Sequence, residues 1–456
     1  MREFNLTSKQ LQDEDKGRSS PRHGLPGSSA PGRCDPSIHG TWIPAIPAGT
    51  TGNTHIDVGV VATHIPPALG YGGVPVTAGI LTRAWASQGR KIKVVASSES
   101  VAGRLRPEDA QMGAGTEVDL YRAYGFRRWG FGLGAIPRLW RLCRNSPRVY
   151  IHGIATWPST LAGLMCLALG KHFMVAPHGG LMPEHVRLIR RRKPHKWLYY
   201  KLFTFPALRR AGAIHVTSDT EAQGVREVLS ANASILQVPN GVEYADIAPA
   251  PTPAAKGLQL CFLGHVQKEK GINAFIRAWL KDRHPHDRLV VAGRGVDAEY
   301  FREFQELVEI AEGAVVYRGY LAKAEVTQLL AESHFLVLPS GLEETGGMRE
   351  NFGNVVAEAM AAGRPVLVTQ GLAWDHVEGY GIGFAFERSE ASVRKVLGWA
   401  QALAPDEWLD MSRRARTYVE KELDPVRLGD QVWRQLTADG PLAANRANGE
   451  VPAHGA

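Results

Sequence analysis

From residue 57 onward, short apolar runs alternate with longer stretches whose apolar residues recur at helical spacing. Buried strands of a parallel sheet appear as continuous apolar runs, and helices of the connecting segments cover the sheet. The pattern therefore predicts an α/β fold. The predicted strands of the first half are DVGVVAT, IKVVAS, RVYI, FMVAP and AIHVT, at 57–63, 92–97, 148–151, 173–177 and 213–217.

The same rhythm restarts after a Pro- and Ala-rich linker, PAPTPAAKG at 249–257. Its predicted strands are QLCFLG, RLVVAG, AVVYRG, FLVLPS and RPVLVT. Two doubly wound, Rossmann-like domains are expected, at 57–250 and 256–422. Ligands of this architecture bind at the carboxyl ends of the strands, so we expect a functional cleft between the two domains.

The ends of the chain differ from this pattern. Residues 1–56 are polar and rich in Gly, Pro and Ser, and residues 437–456 have too little apolar content to pack, so both are predicted to be disordered. The longest apolar run, 161–170, is too short to cross a bilayer, and no secretory signal is visible. The four scattered cysteines lack metal-ligand spacing and indicate free thiols, which favours the cytoplasm.

The net charge of +8 indicates an anionic partner, which could be phosphate, an acidic membrane or nucleic acid. The segment 187–212, RLIRRRKPHKWLYYKLFTFPALRRAG, interleaves basic and aromatic residues as a membrane-surface segment does. A solvated helix with inward-facing aromatics explains it equally well. YRAYGFRRWGFG at 121–132 is a possible second contact, and no motif supports nucleic acid. The predicted membrane or acceptor contacts are Arg190, Arg191, Arg192, Lys193, Lys196 and Trp197.

Two glycine-containing loops are candidate anion sites. Gly72 and Gly73 follow the first predicted strand, where they allow close approach of the backbone to a ligand, with a helix beginning near Val76. Lys270 and Gly271 precede an amphipathic helix of the second domain. A lysine at a helix start is unfavourable unless an anion binds there too. The alternatives are a plain strand-to-helix turn and a solvated loop lysine.

The segment MRENFGNVVAEAMAAGRPVLV, 348–368, contains two carboxylates among side chains that are otherwise mostly small or apolar. Asn354 is a favourable N-cap and Gly363 a favourable residue after a helix end, so we predict a helix over 355–362. Glu350 would then lie in the loop before the helix and Glu358 inside its first turns.

The expected separation of these carboxylates is about 10 Å, from the rise per residue of helix and loop. A nucleotide-sugar has a similar span from ribose to hexose, and carboxylates accept hydrogen bonds from vicinal hydroxyls. The helix amino end between them offers N–H groups to a diphosphate. Alternatively, Glu358 is an acid favoured by the helix dipole and Glu350 an exposed loop acid.

Residues 57 to about 435 resemble the retaining glycosyltransferases of family 4, which have the GT-B fold. The most specific segment is ENFGNVVAEAMAAGRPV, 350–366, which resembles the E-x7-E motif of the family and the Gly-x-Pro-Val that follows it. The Gly72-Gly73 loop, APHGGL around His178, VPNGV at 238–242 and the Lys270-Gly271 pair support the resemblance. The resemblance implies a GT-B protein, and we expect a helix at 423–436 to cross back to the first domain.

The resemblance also implies roles for individual residues. Glu350 would contact the donor hexose near its reacting carbon, and Glu358 the ribose of the nucleotide. Lys270 would bind the diphosphate, and His178 would lie beside donor and acceptor, although a loop histidine at a strand end is the alternative. The family needs no metal, and no cofactor is expected beyond the nucleotide-sugar co-substrate. Further donor contacts would come from Gly72, Gly73, Asn354 and Val355.

The chain departs from the family pattern at His265. The family usually has an arginine here, which pairs with Lys270 on the diphosphate, and histidine is a weaker, pH-dependent cation. Arg294 or Arg349 could compensate for the missing charge. Two acids of the preceding insertion-like GLEETGGMR have no predicted role, Glu343 and Glu344.

The resulting prediction is a retaining hexosyltransferase of the cytoplasm, associated peripherally with the inner face of the membrane. It would move a sugar from a nucleotide-diphosphate-sugar to a hydroxyl of a lipid-linked intermediate in exopolysaccharide or lipopolysaccharide biosynthesis. A nucleotide-sugar epimerase of the same fold is one alternative. A non-catalytic saccharide- or membrane-binding protein is the other.

Overall fold

A computed structural model describes residues 55–100, 103–247, 257–343 and 350–438. Most of the predicted N-terminal extension and C-terminal tail therefore lie outside the described residues. Residues 249–256 of the predicted linker lie outside them as well, and so do Cys34, Glu344 and Arg349.

The first domain contains a parallel sheet of seven strands, with the order β5-β2-β1-β6-β7-β8-β9. A separate two-stranded antiparallel hairpin, β3-β4, lies in the connection from β2 to β5. The strands of this half are β1 Val58–Val61, β2 Ile92–Ser97, β3 Glu99–Ser100, β4 Gly103–Arg104, β5 Glu117–Tyr121, β6 Arg148–His152, β7 His172–Ala176, β8 Ala213–Val216 and β9 Ile235–Gln237.

Helices cover this sheet, and their ends follow from local sequence. The helix after β8 begins where the Ser218 hydroxyl accepts a hydrogen bond from the Glu221 N–H at 3.1 Å, which caps an otherwise unsatisfied amide. The helices are α1 Gly73–Ser87, α2 Ala135–Asn145, α3 Trp157–Ala168, α4 Pro183–Arg192, α5 Pro194–Tyr199, α6 Phe205–Arg210 and α7 Asp219–Val228, with a π-helical turn at Tyr200–Thr204 between α5 and α6.

The second domain has a six-stranded parallel sheet, with the order β12-β11-β10-β13-β14-β15. Its strands are β10 Gln259–Leu263, β11 Arg288–Ala292, β12 Val315–Tyr317, β13 Phe335–Leu338, β14 Val366–Thr369 and β15 Gly383–Phe386. Its helices are α8 Ile272–Asp282, α9 Ala298–Ile310, α10 Lys323–Glu332, α11 Asn354–Ala361, α12 Glu390–Ala402 and α13 Pro405–Glu422. A terminal helix, α14 Pro425–Thr437, follows them.

The strand orders place the functional cleft. In each sheet the early strands are added on one side of the first strand, β1 or β10, and the later strands on its other side. The strand order therefore reverses between β1 and β6 and between β10 and β13, which are the topological switch points. Ligands of open α/β sheets bind at the carboxyl ends of the strands beside such a switch. The predicted α/β architecture of two doubly wound domains is confirmed.

The terminal helix α14 packs against the first domain. The Trp85 indole N–H of α1 donates to the Gly429 carbonyl at 2.8 Å, and Arg90 forms an ion pair with Asp430 at 2.6 Å. The Arg90 guanidinium also lies over the Trp433 ring, 4.1 Å from its centroid. Side chains of α14 therefore form part of the first domain's core although the helix follows the second domain in sequence.

Candidate functional site

Two cavities meet between the domains, with volumes of about 420 and 430 Å³. The first lies mainly against loops of the second domain, and the second lies against the first domain. We name them the donor cavity and the acceptor cavity after the ligands that the family resemblance leads us to expect there. Val74, His178, Glu350 and Asn351 line both cavities. A molecule in one cavity would therefore meet a molecule in the other near Glu350.

The amino ends of α1 and α11 face each other in the donor cavity. Helix α1 begins at Gly73, three residues earlier than expected, after Gly72 with φ of 100°. A Cβ atom on Gly73 would lie 3.1 Å from the Asn354 side-chain nitrogen. Glycine thus permits this close approach, and two helix amino ends offer N–H groups and positive dipole ends to one space.

Asn354 is not the N-cap that the sequence indicated. Helix α11 runs over Asn354–Ala361, and Gly353, with φ of 74°, occupies the cap position. The Asn354 side-chain oxygen instead accepts a hydrogen bond at 2.9 Å from Asn240 of the first domain. Its amide therefore links the domains, and the predicted donor-contact residue Val355 also lines the cavity.

Glu358 lies half-buried in the donor cavity, away from Glu350 along α11. Its carboxylate makes no hydrogen bond or ion pair within the described part of the chain. Burial raises the pKa of Glu358 to about 7. The side chain is thus a hydrogen-bond acceptor without a partner among the described residues, and it faces a ligand-sized space.

Lys270 and Glu350 form an ion pair at the junction of the two cavities. About a fifth of each side chain is exposed, and the Glu350 N–H is fixed by the Ser340 hydroxyl at 2.9 Å. Burial lowers the pKa of Lys270 to about 8, while the charge of Glu269 favours the ammonium form. The pair therefore places the Lys270 ammonium and the Glu350 carboxylate side by side where the two cavities meet.

His265 also lines the donor cavity, half-buried near two arginines. Burial, and then the charges of Lys270, Arg128 and Arg294, lower the pKa of His265, so its ring is neutral near pH 7. Arg294 lines the same cavity, with its guanidinium 4.8 Å from the centroid of the Tyr320 ring.

Glu343, which had no predicted role, accepts a hydrogen bond from the Ala274 N–H in the first turn of α8, at 2.9 Å. It also accepts one from the Tyr300 hydroxyl at 3.0 Å. Carboxylates satisfy the exposed amides of helix amino ends, so Glu343 has a structural role.

His178 occupies the loop after β7, with a left-handed φ of 51°. Its Nε2 lies 3.0 Å from His152 Nδ1, and the two rings stack with centroids 5.2 Å apart. Burial lowers the pKa of His178 to about 3, so the imidazole is neutral. It can donate or accept a hydrogen bond beside Glu350, but it supplies no positive charge.

Two cations line the acceptor cavity, and the sequence predicted one of them, Lys196, as a membrane or acceptor contact. Lys196 of α5 lines it and is half-buried, and Arg128 lines it from the loop after β5. Neither makes an ion pair with a carboxylate among the described residues. Glu184 also lines the cavity, in the first turn of α4, where the helix dipole favours an acid.

Sequence reasoning missed several residues of the cleft. Asn351 lies inside the most specific motif, but its uncharged amide gives no signal of a functional role in the sequence. Asn240 lies in VPNGV, which supported the family resemblance without a role for the asparagine. Tyr320 lies in a loop of ordinary composition. Arg128 lies in the 121–132 segment, which the sequence predicted as a second membrane contact and not as part of the cleft.

Solved structures with the same architecture include HepE of Anabaena in complex with UDP and glucose, with a TM-score of 0.65 and 15% identity over 84% of this chain and 99% of that chain. Sucrose-phosphate synthase from Thermosynechococcus elongatus has a TM-score of 0.64 and 16% identity, with the same coverage. These likenesses establish the two-domain GT-B fold.

The family profile described as Glycosyl transferases group 1 matches residues 257–399. The profile described as Glycosyl transferase 4-like domain matches residues 72–241, so the two together span both domains. The chain belongs to the GT-B glycosyltransferases of family 4. This glycosyltransferase is also 32% identical over 111 residues to an uncharacterized glycosyltransferase of Methanocaldococcus jannaschii, and the match covers 24% of this chain and 26% of that relative.

Potential metal ligands are dispersed over the described ranges of the glycosyltransferase. No cluster of three or more histidine, cysteine, aspartate or glutamate side chains in these ranges could hold a metal ion. The expectation that transfer needs no metal stays a prediction.

The Lys270–Glu350 ion pair predicts the chemical reactivity of the lysine. In Glu350→Gln the charged ammonium loses its partner, so the pKa of Lys270 should fall further and its neutral amine should become more abundant at pH 7.5. Acetic anhydride labelling followed by peptide mass spectrometry should show faster acetylation of Lys270. Lys268, two residues away and exposed, serves as the internal control. Unchanged acetylation of Lys270 would contradict the pairing.

Proposed function

We propose that the protein is a retaining glycosyltransferase that moves a hexose from a nucleotide-diphosphate-sugar to a hydroxyl group of a saccharide acceptor. The observation that carries this proposal is the arrangement of the donor cavity. Glu350 lies at the junction with the acceptor cavity, Glu358 lies within the donor cavity, and the amino end of α11 lies between them. The hexose would face Glu350 and the nucleotide ribose Glu358.

The nucleotide-sugar donor is supported by the chemistry of the lining. The α1 and α11 amino ends and the Lys270 ammonium suit a diphosphate, because charge-assisted hydrogen bonds to anions are stronger than neutral ones. HepE, which shares the fold, is known in complex with UDP-glucose. UDP-glucose is therefore the first donor to test.

The proposed reaction retains the configuration of the sugar carbon. The acceptor hydroxyl would attack from the face on which the diphosphate departs, and a diphosphate oxygen would take the hydroxyl proton as the new C–O bond forms. Lys270 and the two helix amino ends would stabilise the charge that develops on the departing diphosphate. Glu350, on binding the hexose, would release Lys270 from their ion pair for this purpose.

Lys196 and Arg128 favour an acceptor that carries an anionic group. A half-buried ammonium without a carboxylate partner is costly, and an anionic ligand would offset that cost. The Lys196 ammonium instead lies 5.7 Å from the centroid of the Tyr200 ring. A lipid-linked intermediate of exopolysaccharide or lipopolysaccharide biosynthesis would bring such an anionic group in its phosphate linkage.

A membrane-facing surface would present this acceptor. Arg190, Arg191, Arg192 and Lys193 are exposed at the end of α4, whereas Trp197 packs against the first domain's core rather than outward. The apolar part of the surface comes from other side chains of the same segment. These exposed apolar side chains are Leu198 (55% exposed), Leu202 (56%) and Phe203 (39%).

Aromatic side chains join this segment to 121–132, the other predicted contact. The Tyr199 ring lies 5.2 Å from Phe203 and 6.0 Å from Trp129, measured between centroids. Phe126 beside Trp129 is 76% exposed. A continuous surface with exposed apolar side chains and cations suits an anionic lipid surface. Over the described ranges, no helix is long and apolar enough to span a bilayer.

Donor turnover tests the proposed function. Incubation with a panel of nucleotide-sugars, UDP-glucose first, should give slow donor hydrolysis, and transfer with the original anomeric configuration when an acceptor is added. Lys270→Ala should cost about 2 to 4 kcal/mol of transition-state stabilisation, because the departing diphosphate loses a cation. Lys268→Ala is the matched control. Unchanged turnover in Lys270→Ala would refute its role, and an epimerised sugar formed without acceptor would refute transfer.

Vesicle binding tests the membrane surface. Replacing Arg190, Arg191, Arg192 and Lys193 by Ser should weaken co-sedimentation with phosphatidylglycerol-containing vesicles at least tenfold, since each cation near an anionic surface contributes roughly 1 kcal/mol. Donor hydrolysis should be unaffected.

The control for this experiment removes four exposed cations of the second domain, Arg302, Lys395, Arg413 and Lys421. It should retain vesicle binding. Equal loss in both variants would indicate a response to net charge rather than this surface, and unaltered binding of the first variant would exclude the proposed contact.

A further inference from the structure

Glu221 is a fully buried carboxylate of α7 for which the proposed reaction has no role. It accepts hydrogen bonds from the backbone N–H of Gly179 and, at 3.4 Å, from that of Thr217. Its third partner is the side-chain amide of Asn351, which donates to it at 3.0 Å. One carboxylate therefore binds groups from three separate loops.

Asn351 belongs to the second domain, whereas its side-chain partners belong to the first. Besides Glu221, its Nδ2 donates to the Thr217 hydroxyl at 2.8 Å, and its Oδ1 accepts from the Ser218 hydroxyl at 2.7 Å. The amide thus has a partner for each of its polar atoms. This network crosses the cleft and fixes the two domains at that point.

The network adjoins both sides of the reaction centre. Gly179 directly follows His178, and Asn351 directly follows Glu350. A Cβ atom on Gly179 would lie 3.1 Å from the Asn351 Cβ, so the two loops touch. One carboxylate oxygen of Glu221 accepts a hydrogen bond from the Gly179 N–H, next to His178, and the other accepts one from the Asn351 amide, next to Glu350.

We propose that Glu221 is a positioning residue that sets the distance between His178 on the acceptor side and Glu350 on the donor side, by binding Gly179 and Asn351 simultaneously. The inference rests on the proposed transfer reaction. Loss of the link should impair the chemical step, which needs acceptor and hexose in fixed geometry. Donor binding should persist, because Glu358 and the helix amino ends do not depend on the link.

The ionised form of Glu221 suits this role, since its described partners are all N–H donors. Burial raises the pKa of Glu221 to about 7, while the three N–H groups favour the carboxylate. Tyr150 of β6 lies near enough for the charge of Glu221 to raise its pKa, and it is hydrogen-bonded to His215 of β8. His178 is hydrogen-bonded to His152 of β6. Burial raises the pKa of Tyr150 above its ordinary value, lowers those of His215 and His178 to about 4 and 3, and lowers that of His152 well below its ordinary value, so none of them titrates near pH 7. As pH falls through 7, Glu221 gains a proton and one N–H loses its acceptor.

The first test compares Glu221→Gln with Glu227→Gln, an exposed glutamate of the same helix. With UDP-glucose as donor, or whichever donor the wild type turns over, Glu221→Gln should lower kcat 10- to 100-fold and change the donor KM less than threefold. The acid limb of the wild-type kcat profile near pH 7 should disappear in this variant. Glu227→Gln should match the wild type in all three respects.

A second test exchanges the two groups. Asn351→Asp places two carboxylates side by side and should be impaired above pH 7, whereas the double variant Glu221→Gln with Asn351→Asp restores an amide–carboxylate pair. Its kcat should exceed that of either single variant at least tenfold, a non-additivity that requires direct coupling. If Glu221→Gln does not fold, Asn351→Ala, in a loop of the cleft, should show the same loss of kcat.

The outcomes separate the two proposals. Wild-type protein that turns over no nucleotide-sugar would refute the proposed function itself. If the wild type is active, the proposed function stands, and two results would overturn the inference. The first is that Glu221→Gln, or Asn351→Ala if Glu221→Gln does not fold, retains the wild-type kcat and pH profile. The second is that the kcat of the double variant is no higher than those of the single variants.

Discussion

The close approach of two helix amino ends across the gap between the domains is the constraint on which the cleft depends. Gly73 at the start of α1 leaves no Cβ to crowd the Asn354 amide, which a Cβ would approach to 3.1 Å. Gly72 and Gly353 supply the left-handed turns that lead into the two helices. With these helix ends facing one space, unsatisfied N–H groups and positive dipole ends converge there, and an anion is the ligand that they favour.

The charged side chains of the cleft are arranged around that positive centre. Lys270 is neutralised by Glu350 where the two cavities meet, so the cleft holds a cation without the cost of an isolated buried charge. Glu358 has no hydrogen-bond partner among the described residues and faces the donor cavity, and the neutral His178 lies at the junction. A ligand with hydroxyls at both ends and negative charge in its middle satisfies this arrangement. The Glu221 network then holds the junction together through neutral and anionic hydrogen bonds.

Sequence periodicity predicted the ten strands that lie mainly inside the sheets, because buried parallel strands are continuous apolar runs. The strands it missed include β5, β9 and β15, each of which lies at a sheet edge; β5 is partly exposed and β9 has only three residues. The E-x7-E segment similarly revealed Glu350 and Glu358 through their charge and spacing. Asn351 and Glu221 carry no such signal, because their importance arises from a contact between two side chains that are 130 residues apart in sequence. A sequence alone provides no measure of such a contact.

The most direct test of the two-ended donor cavity is a calorimetric titration of UDP and UDP-glucose into the wild type, Glu358→Gln and Glu350→Gln. UDP contains the ribose and diphosphate but lacks the hexose. We expect Glu358→Gln to weaken binding of both ligands about tenfold, since a hydrogen bond to a charged group contributes roughly 1.5 kcal/mol. Glu350→Gln should abolish the additional affinity that UDP-glucose has relative to UDP. Equal effects of Glu350→Gln on both ligands, or unchanged UDP binding in Glu358→Gln, would contradict the two-ended cavity.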